Sequence, residues 1–185
     1  ALVGGPRDRF YVRDVSRPCA SVGVLLRPGS ALPLLGAPAD ALAGRHTPLE
    51  DLWGLQSGLA MERLQEARDL EGRLDLFESL LLERVADSFH GLHPAVAQSL
   101  APLGLGTLRV RALAQRSGYS HRRFIDLFRA ATGLAPKAYA RVHRLGRVLD
   151  LAEDTGLGWA DIADEAGFAD QSHLTREFSE IAGLS

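Results

Sequence analysis

The stretch of sequence that decides the fold lies near the C-terminus and reads Ile162-Ala163-Asp164-Glu165-Ala166-Gly167-Phe168-Ala169-Asp170-Gln171-Ser172-His173-Leu174-Thr175-Arg176-Glu177-Phe178. It predicts two short helices joined by a turn, because Gly167 can adopt the left-handed conformation that ends a helix and Asp170 can cap the next one. Leu174 and Phe178 are four residues apart and are expected to face inward. The outer face then presents amide, hydroxyl and guanidinium groups, which are suited to contacting base edges in a DNA major groove. The alternative is an amphipathic helical hairpin whose outer face meets only solvent.

The pattern of this stretch occurs twice in the chain. Leu113-Ala114 and Gly118 match Ile162-Ala163 and Gly167 at an offset of 49 residues. After the turn the offset is 50 residues, and the matching pairs are Ser120 with Asp170, Phe124 with Leu174, Phe128 with Phe178, and Gly133-Leu134 with Gly183-Leu184. An internal repeat of this kind predicts two helix-turn-helix units.

A single long helix is predicted between the two units, from Pro136 to about Glu153, with apolar residues at Tyr139, Val142 and Leu145. Its 18 residues would span about 27 Å at the rise of an α-helix. Successive major grooves on one side of DNA lie about 34 Å apart. The sequence therefore predicts two recognition helices held for successive major grooves.

The net charge of −2 conceals a strong segregation of charge along the chain. Residues 107–147 carry nine Arg and one Lys against Asp126 alone, a net charge of +9, whereas residues 1–106 carry −3 and residues 148–185 carry −8. A block of +9 is typical of a surface that binds a polyanion, although a solvated basic face is the alternative. We expect the first unit to supply most of the electrostatic affinity for DNA. The second unit would bind weakly or contribute through protein contacts, for instance with RNA polymerase.

Roles can be assigned to individual side chains of the two units. In the first unit Ser120 is expected to cap the helix, and the residues expected to face the groove or its walls are Arg122, Arg123, Ile125, Asp126 and Arg129. In the second unit His173 is expected to support the turn rather than contact a phosphate, and the groove candidates are Gln171, Ser172, Thr175 and Arg176. General phosphate contacts are predicted for Arg109, Arg111, Arg116, Lys137, Arg141, Arg144 and Arg147.

The first 46 residues predict β-structure and loops. Phe10-Tyr11-Val12 and residues 20–26 are rich in strand-forming residues, and prolines interrupt them. Two or three strands are too few to stand alone, and the chain begins without methionine. We therefore expect the last part of a larger β-domain, with a short β-arm folded onto the following helices as the alternative.

Two helices are predicted in the segment that follows, over residues 47–88. Thr47-Pro48-Leu49-Glu50 has the form of a capping box with proline at the first helical position. Helical spacing then continues through Leu52, Leu55, Leu59 and Leu64, and a second helix is indicated by Leu70, Leu74, Phe77, Leu81 and Val85. This pair of helices could form a dimerisation surface, a connector between two domains, or simply intrachain core.

Several classes of function lack the residues that they need. Cys19 is the only cysteine and has no activating neighbours, so we expect no disulfide, no thiolate zinc site and no catalytic cysteine. His90 and His93 lack the further ligands that a metal requires. No apolar run approaches the roughly 20 residues of a membrane span, and the N-terminus has no signal pattern. The sequence predicts a cytoplasmic protein that is not an enzyme and uses no metal or cofactor.

In its two helix-turn-helix repeats the sequence resembles the AraC family of bacterial transcription regulators. The resemblance covers roughly residues 93–185 and is most specific in Ile162-Ala163, Gly167-Phe168, residues 170–174, Arg176 and Phe178. The first repeat contributes Gly118-Tyr119-Ser120, Phe124, Phe128, Gly133-Leu134 and Pro136.

The resemblance implies a mainly α protein with a seven-helix double helix-turn-helix domain that binds double-stranded DNA and activates or otherwise regulates transcription. It also implies an N-terminal domain that senses a small-molecule effector or forms a homodimer, often a cupin-like β-barrel. On this basis residues 1–46 would be the C-terminal remnant of the sensor domain, residues 47–92 a helical connector with dimerisation helices, and residues 93–185 the DNA-binding domain.

The sequence departs from the family pattern at two places. Asp126 stands where the family commonly has a basic or polar residue, and it could pair with Arg122, accept a hydrogen bond from cytosine N4, or repel phosphate. The chain also stops at Ser185, where the family continues with a proline and one more helix. The competing functions are a protein-interaction module built on the 47–88 helices, with a weak or inactive DNA-binding unit, and a DNA-repair-type enzyme fused to an AraC-like domain.

Overall fold

A computed structural model of the chain describes residues 1–12, 16, 21–85, 91–153 and 156–183. The expectations for Cys19, His90 and Leu184 lie outside these residues. The chain is mainly helical, as predicted. It divides into two compact units, one made of Ala1–Pro6, Arg13–His93 and Ala130–Gly133, the other of Arg7–Val12, Pro94–Arg129 and Leu134–Ser185. In the part of the chain that is described, no helix is long and apolar enough to cross a membrane.

The N-terminal unit contains two short strands and five helices within its described residues: β1 (Leu2–Gly4), α1 (Ala31–Leu35), α2 (Ala39–Leu42), β2 (His46–Pro48), α3 (Glu50–Trp53), α4 (Leu55–Glu66) and α5 (Leu70–Val85). The strands pair antiparallel, with Val3 opposite Thr47. Leu34, Leu35 and Leu42 form the centre of the core, against which the C-terminal half of α5 packs. The described part of the N-terminal unit is therefore mainly helical, with one antiparallel pair of short strands.

Trp53 ties three helices of this unit together. Its indole N–H donates to the carbonyl of Leu34 over 3.0 Å. The guanidinium of Arg84 lies 4.8 Å from the centre of the Trp53 ring, and its Nε–H donates to the same carbonyl over 3.2 Å. The free carbonyl at the end of α1 thus gains two donors, as the last turn of a helix requires.

The strands predicted within residues 1–46 are wrong. Residues 10–12 and 21–26 are irregular, and Leu25 is 96% exposed. The strands lie instead at residues 2–4 and 46–48. Strand propensity mainly expresses the packing of side chains on a half-buried sheet, so residues that find no partner strand do not follow it.

The capping box predicted at Thr47 is also wrong. Thr47 belongs to β2, where its hydroxyl is buried without a hydrogen-bond partner, and α3 begins at Glu50 with Leu49 at the cap position and no side-chain cap. Pairing with Val3, far away in the sequence, holds Thr47 in an extended conformation. A long-range contact has overridden a local motif.

The two helices predicted over residues 47–88 form with a different division. Gly54, at φ +56°, separates α3 from α4, and α5 follows as expected up to Val85. The inward stripe is wrong in part, since Leu55 is 92% exposed and Leu59 is 61% exposed. Leu70 and Leu74 on α5 are exposed as well.

The C-terminal unit contains six helices within its described residues: α6 (Pro94–Gly104), α7 (Val110–Arg116), α8 (His121–Thr132, of which residues up to Arg129 belong to this unit), α9 (Pro136–Glu153), α10 (Trp159–Glu165) and α11 (Gln171–Ala182). The internal repeat is confirmed: α10 starts and ends 49 residues after α7, and α11 starts and ends 50 residues after α8. The long helix predicted between the two helix-turn-helix repeats is α9, and it has the predicted bounds.

The core of this unit runs along α9. Phe124 and Phe128 of α8 are fully buried, and the Phe128 ring meets that of Tyr139 edge to face at 5.2 Å. Further along α9, Val148 packs with Ile162 and Leu174 of the second repeat. One helix therefore supports both repeats, each through its own set of apolar side chains.

Candidate nucleic-acid interface

The first helix-turn-helix unit consists of α7, a turn at Gly118 and α8. Gly118 has φ +74°, which favours glycine, and lets the chain leave α7. The Ser120 hydroxyl then accepts from the backbone N–H of Arg123 over 3.3 Å, so Ser120 caps α8 as predicted. With the phenyl rings of α8 buried, the opposite face of the helix is turned to solvent.

The solvent face of α8 carries the predicted groove residues in an unpaired state. Within the described residues, the side chains of the four exposed ones form no ion pair and no hydrogen bond, namely Arg122, Arg123, Asp126 and Arg129. Ile125 is half-buried at the edge of this face. The Arg122–Asp126 ion pair, one of three roles considered for Asp126, is therefore not formed.

The second unit repeats this arrangement with one additional residue in its turn. Gly167 has φ +82°, and Asp170 Oδ1 accepts from the backbone N–H of His173 over 2.6 Å, which confirms the predicted cap. The additional residue allows Phe168 to turn inward, where it is 4% exposed, and its N–H donates to the carbonyl of Ala163 over 2.8 Å. Tyr119, in the turn of the first unit, is 40% exposed.

The solvent face of α11 presents the four predicted groove residues, all exposed: Gln171, Ser172, Thr175 and Arg176. The Thr175 hydroxyl donates to the carbonyl of Gln171 over 2.9 Å. Arg176 Nε–H donates to the carbonyl of Ser172 over 3.3 Å. These bonds to the helix's own carbonyls orient the two side chains along α11 while the ends of the guanidinium fork face away from the core.

His173 supports the turn from the buried side. Its ring meets that of Phe168 edge to face at 5.3 Å, and its Nδ1 accepts from the N–H of Ala169 over 3.4 Å. Its Nε2 lies 3.6 Å from Glu177 Oε1. All three contacts are within the protein, in agreement with the structural role expected for this residue.

The predicted phosphate contacts separate into two groups. Four are exposed and make no side-chain hydrogen bond or ion pair within the described residues: Arg109, Arg111, Arg116 and Lys137. The other three lie on α9 and contact the second unit instead: Arg141, Arg144 and Arg147. Sequence reasoning missed the acidic partners of Arg141 and Arg144, which are Glu177 and Glu180 on α11.

Two ionisable groups on α9 have shifted pKa values, the buried Tyr139 and the partly exposed His143 beside it. The rings of Tyr139 and His143 lie 4.2 Å apart on α9. Loss of solvent raises the pKa of Tyr139 and lowers the pKa of His143, because burial disfavours the charged form of each. Among the described residues, no three His, Cys, Asp or Glu side chains are placed to hold a metal ion.

Comparison with known proteins identifies this part of the chain. Residues 113–185 match a family model described as a helix-turn-helix domain. They form an AraC-type helix-turn-helix domain. The match begins within α7 and continues through α8, α9, α10 and α11, so it covers most of the first helix-turn-helix repeat, all of α9 and the second repeat. No curated protein and no solved structure matches the chain.

This family match supports DNA binding of the AraC regulator type for residues 113–185. The resemblance drawn from the repeat is thereby confirmed for the DNA-binding half. The assignment of residues 1–46 to a cupin-like sensor stays a prediction, as do the roles of the individual groove residues.

Proposed function

We propose that the protein is a sequence-specific transcription regulator that places α8 and α11 in successive major grooves of DNA. The observation that supports this most directly is that α8 and α11 each expose one polar face to solvent. Each helix buries its apolar residues against α9 or its partner helix and leaves its hydrogen-bonding side chains in solvent. The 18 residues of α9 give this helix a length of about 27 Å, which is comparable with the roughly 34 Å between successive major grooves.

The first helix-turn-helix unit supplies most of the electrostatic affinity for DNA. Its recognition helix carries three unpaired arginines, and three more on and before α7 are exposed: Arg109, Arg111 and Arg116. Unpaired cations that neutralise phosphates release counterions from DNA and so raise affinity at low salt. Three arginines of α9, by contrast, already have partners in the protein. The basic block of residues 107–147 thus acts mainly through its first half.

The second unit contributes base contacts more than charge. Residues 148–185 carry a net charge of −8, which weakens attraction to phosphate. The amide of Gln171 can pair with adenine, and the guanidinium of Arg176 with guanine. The acidic surroundings of this unit also suit a contact with a basic protein surface, and we propose RNA polymerase as that partner.

The N-terminal unit is proposed as the control region. A groove of about 540 Å³ lies between α1, α4 and α5, and it is lined by Leu32, Pro33, Gly36, Trp53, Gln56, Leu59, Ala60, Arg63, Leu80, Glu83 and Arg84. This volume suits a small-molecule effector, since ligand sites commonly enclose about 300–1,000 Å³. Exposed leucines on α4 and α5 suit a homodimer contact.

Selection from random duplex DNA with the full chain tests the proposed function. Two recognition helices in successive grooves would enrich two conserved blocks whose centres lie about 10 base pairs apart. The double variant Arg122→Ala/Arg176→Ala should enrich neither block. Recovery of no conserved block by the unaltered chain would overturn the proposal.

A second candidate function is a protein-interaction module based on α4 and α5. The observation that favours it is the exposure of five leucines on the described residues of these helices, Leu55, Leu59, Leu70, Leu74 and Leu82. Scattered exposed leucines are ordinary, but several on adjacent helices indicate a contact surface. If the chain selects no DNA but still associates with itself in solution, this function would be favoured over the first.

A further inference from the structure

Three arginines of α9 contact every part of the second helix-turn-helix unit. Arg141, Arg144 and Arg147 are spaced by three residues and therefore follow one side of the helix. Arg141 Nε lies 3.4 Å from Glu177 Oε1, and its NH2 group donates to Glu180 Oε2 over 2.6 Å. Both acids belong to α11, so this arginine holds the recognition helix itself.

The next two arginines hold the turn and the helix before it. Arg144 donates to the carbonyl of Gly167 over 3.1 Å, and its guanidinium lies 4.7 Å from the centre of the Phe168 ring. Arg147 donates to the carbonyl of Glu165 over 2.9 Å, at the end of α10. The carbonyls at a helix end lack partners within the helix, so these guanidinium groups complete its hydrogen bonding.

Glu177 lies at the centre of this cluster. Its side chain is only 15% exposed. One carboxylate oxygen faces Arg141 and His173. The other is buried, has no hydrogen bond within the described part of the chain, and lies 3.6 Å from Arg144. A carboxylate removed from water in this way depends on the two guanidinium groups beside it.

The first unit has no equivalent of this cluster. Within the described residues, no ion pair joins α7 or α8 to α9, and the phenyl rings of Phe124 and Phe128 hold α8 instead. At the positions equivalent to these rings the second unit has Leu174 and the half-buried Phe178. The two repeats are therefore attached to the same helix by different chemistry.

We infer that Arg141, Arg144 and Glu177 are positioning residues that fix the orientation of α11 on α9. Their charges serve this attachment and do not bind DNA phosphates. The inference rests on the proposed function, in which α11 reads one half of the DNA site. It assigns a role to Glu177 and replaces the phosphate contacts expected for Arg141 and Arg144.

Paired substitutions at opposite charges distinguish positioning from phosphate binding. Arg144→Gln and Glu177→Gln both remove the Arg144–Glu177 ion pair and loosen α11 on α9, so each should weaken binding to the selected duplex by about five- to tenfold. The salt dependence should stay unchanged for both. If Arg144 bound phosphate, Glu177→Gln would strengthen binding, and Arg144→Gln would lower the salt slope by about 0.9. Opposite signs for the two variants would overturn the inference.

Two further variants sharpen this test. Arg144→Lys keeps the charge that a phosphate needs but loses the planar contact with Phe168 and the geometry of the bond to Gly167. It should bind as weakly as Arg144→Gln; recovery of full affinity would overturn the inference. The double variant Arg144→Gln/Glu177→Gln should lose less than the sum of the two single variants, because both single variants remove the Arg144–Glu177 contact. Arg116→Gln, on the exposed surface of the first unit, is the control for a lost phosphate contact.

Amide hydrogen exchange of the free chain tests the attachment without DNA. Glu177→Gln should speed exchange in α10 and α11 and leave α7 and α8 unchanged, since local opening follows the loss of local contacts. Unchanged exchange in α10 and α11 would overturn the inference. The exchange measurement does not depend on DNA binding. If the chain selects no DNA, the proposed function fails, but exchange in α10 and α11 still tests whether Glu177 holds α11 on α9. Should Glu177→Gln not fold, Arg141→Lys serves in both assays with the same expectations.

Discussion

Phe168 and Tyr119 occupy the turns of the two repeats, yet only Phe168 is buried, at 4% exposed against 40% for Tyr119. The second turn has one additional residue, and there the Phe168 ring contacts Arg144 and His173. The second turn is thus part of the hydrophobic core, while the first is part of the surface.

The burial of Phe168 predicts a large difference in stability between two equivalent substitutions. Phe168→Ala should lower the free energy of unfolding by about 3–5 kcal/mol, because it leaves a cavity among Ile162, Ala163 and Leu174. Tyr119→Ala should lower it by about 1 kcal/mol or less, as is usual for a surface position. Urea unfolding of both variants measures the two values. Similar losses would mean that the second turn is not part of the core.

The lowered pKa of His143 predicts a pH-dependent stability. Partial desolvation beside Tyr139 disfavours the imidazolium of His143, so the folded state binds a proton at lower pH than the unfolded state does. The stabilising contribution is complete above the unfolded value of about 6.5 and is lost as the pH falls below it. The free energy of unfolding should therefore fall more between about pH 7.5 and about pH 5.5 in the natural chain than in His143→Gln. Equal losses in the two proteins would contradict the shift.

The repeat could be predicted from sequence because its signals are local. Gly167, Asp170 and the four-residue spacing of Leu174 and Phe178 each act within one turn of their own helix, and no distant contact opposes them. The same holds for α9, whose bounds agree with the apolar spacing from Pro136.

The N-terminal unit and the cluster around Glu177 could not be predicted in this way. Thr47 joins a strand because Val3 pairs with it, and no signal near Thr47 reports that partner. Arg141 resembles any exposed arginine in the sequence until Glu177, 36 residues later, is brought beside it. Charge composition measures how many cations a segment has but not which of them are already paired.

The unequal pairing of these cations predicts an unequal response to salt. Arg122→Ala should reduce the slope of log affinity against log salt by about 0.9, the value for one lost phosphate contact. Arg176→Ala should lower affinity for the selected duplex by about tenfold with little change in slope, as expected for a lost base contact. Titrations at two salt concentrations measure both. Equal losses in affinity and in slope would contradict the division between the units.

Asp126 gives the sharpest prediction about sequence preference. Its carboxylate is exposed on the solvent face of α8 and has no partner among the described residues, although Arg122 lies four residues before it. A carboxylate near phosphate is repelled unless it accepts a hydrogen bond from a base, and cytosine N4 is the donor that it fits in the major groove. We therefore expect Asp126 to select cytosine at one position of the first block.

Asp126→Asn should change that preference from cytosine towards adenine, because an amide both accepts and donates and so pairs with adenine N6 and N7. The change should be about tenfold, within the range of one good base contact. Asp164→Asn makes the same change of charge at an exposed position of α10. It should strengthen binding by a small factor that is the same for all duplexes. Competition between duplexes that differ at the single position measures both variants. If Asp126→Asn strengthens binding uniformly, as Asp164→Asn should, the carboxylate only repels phosphate and selects no base.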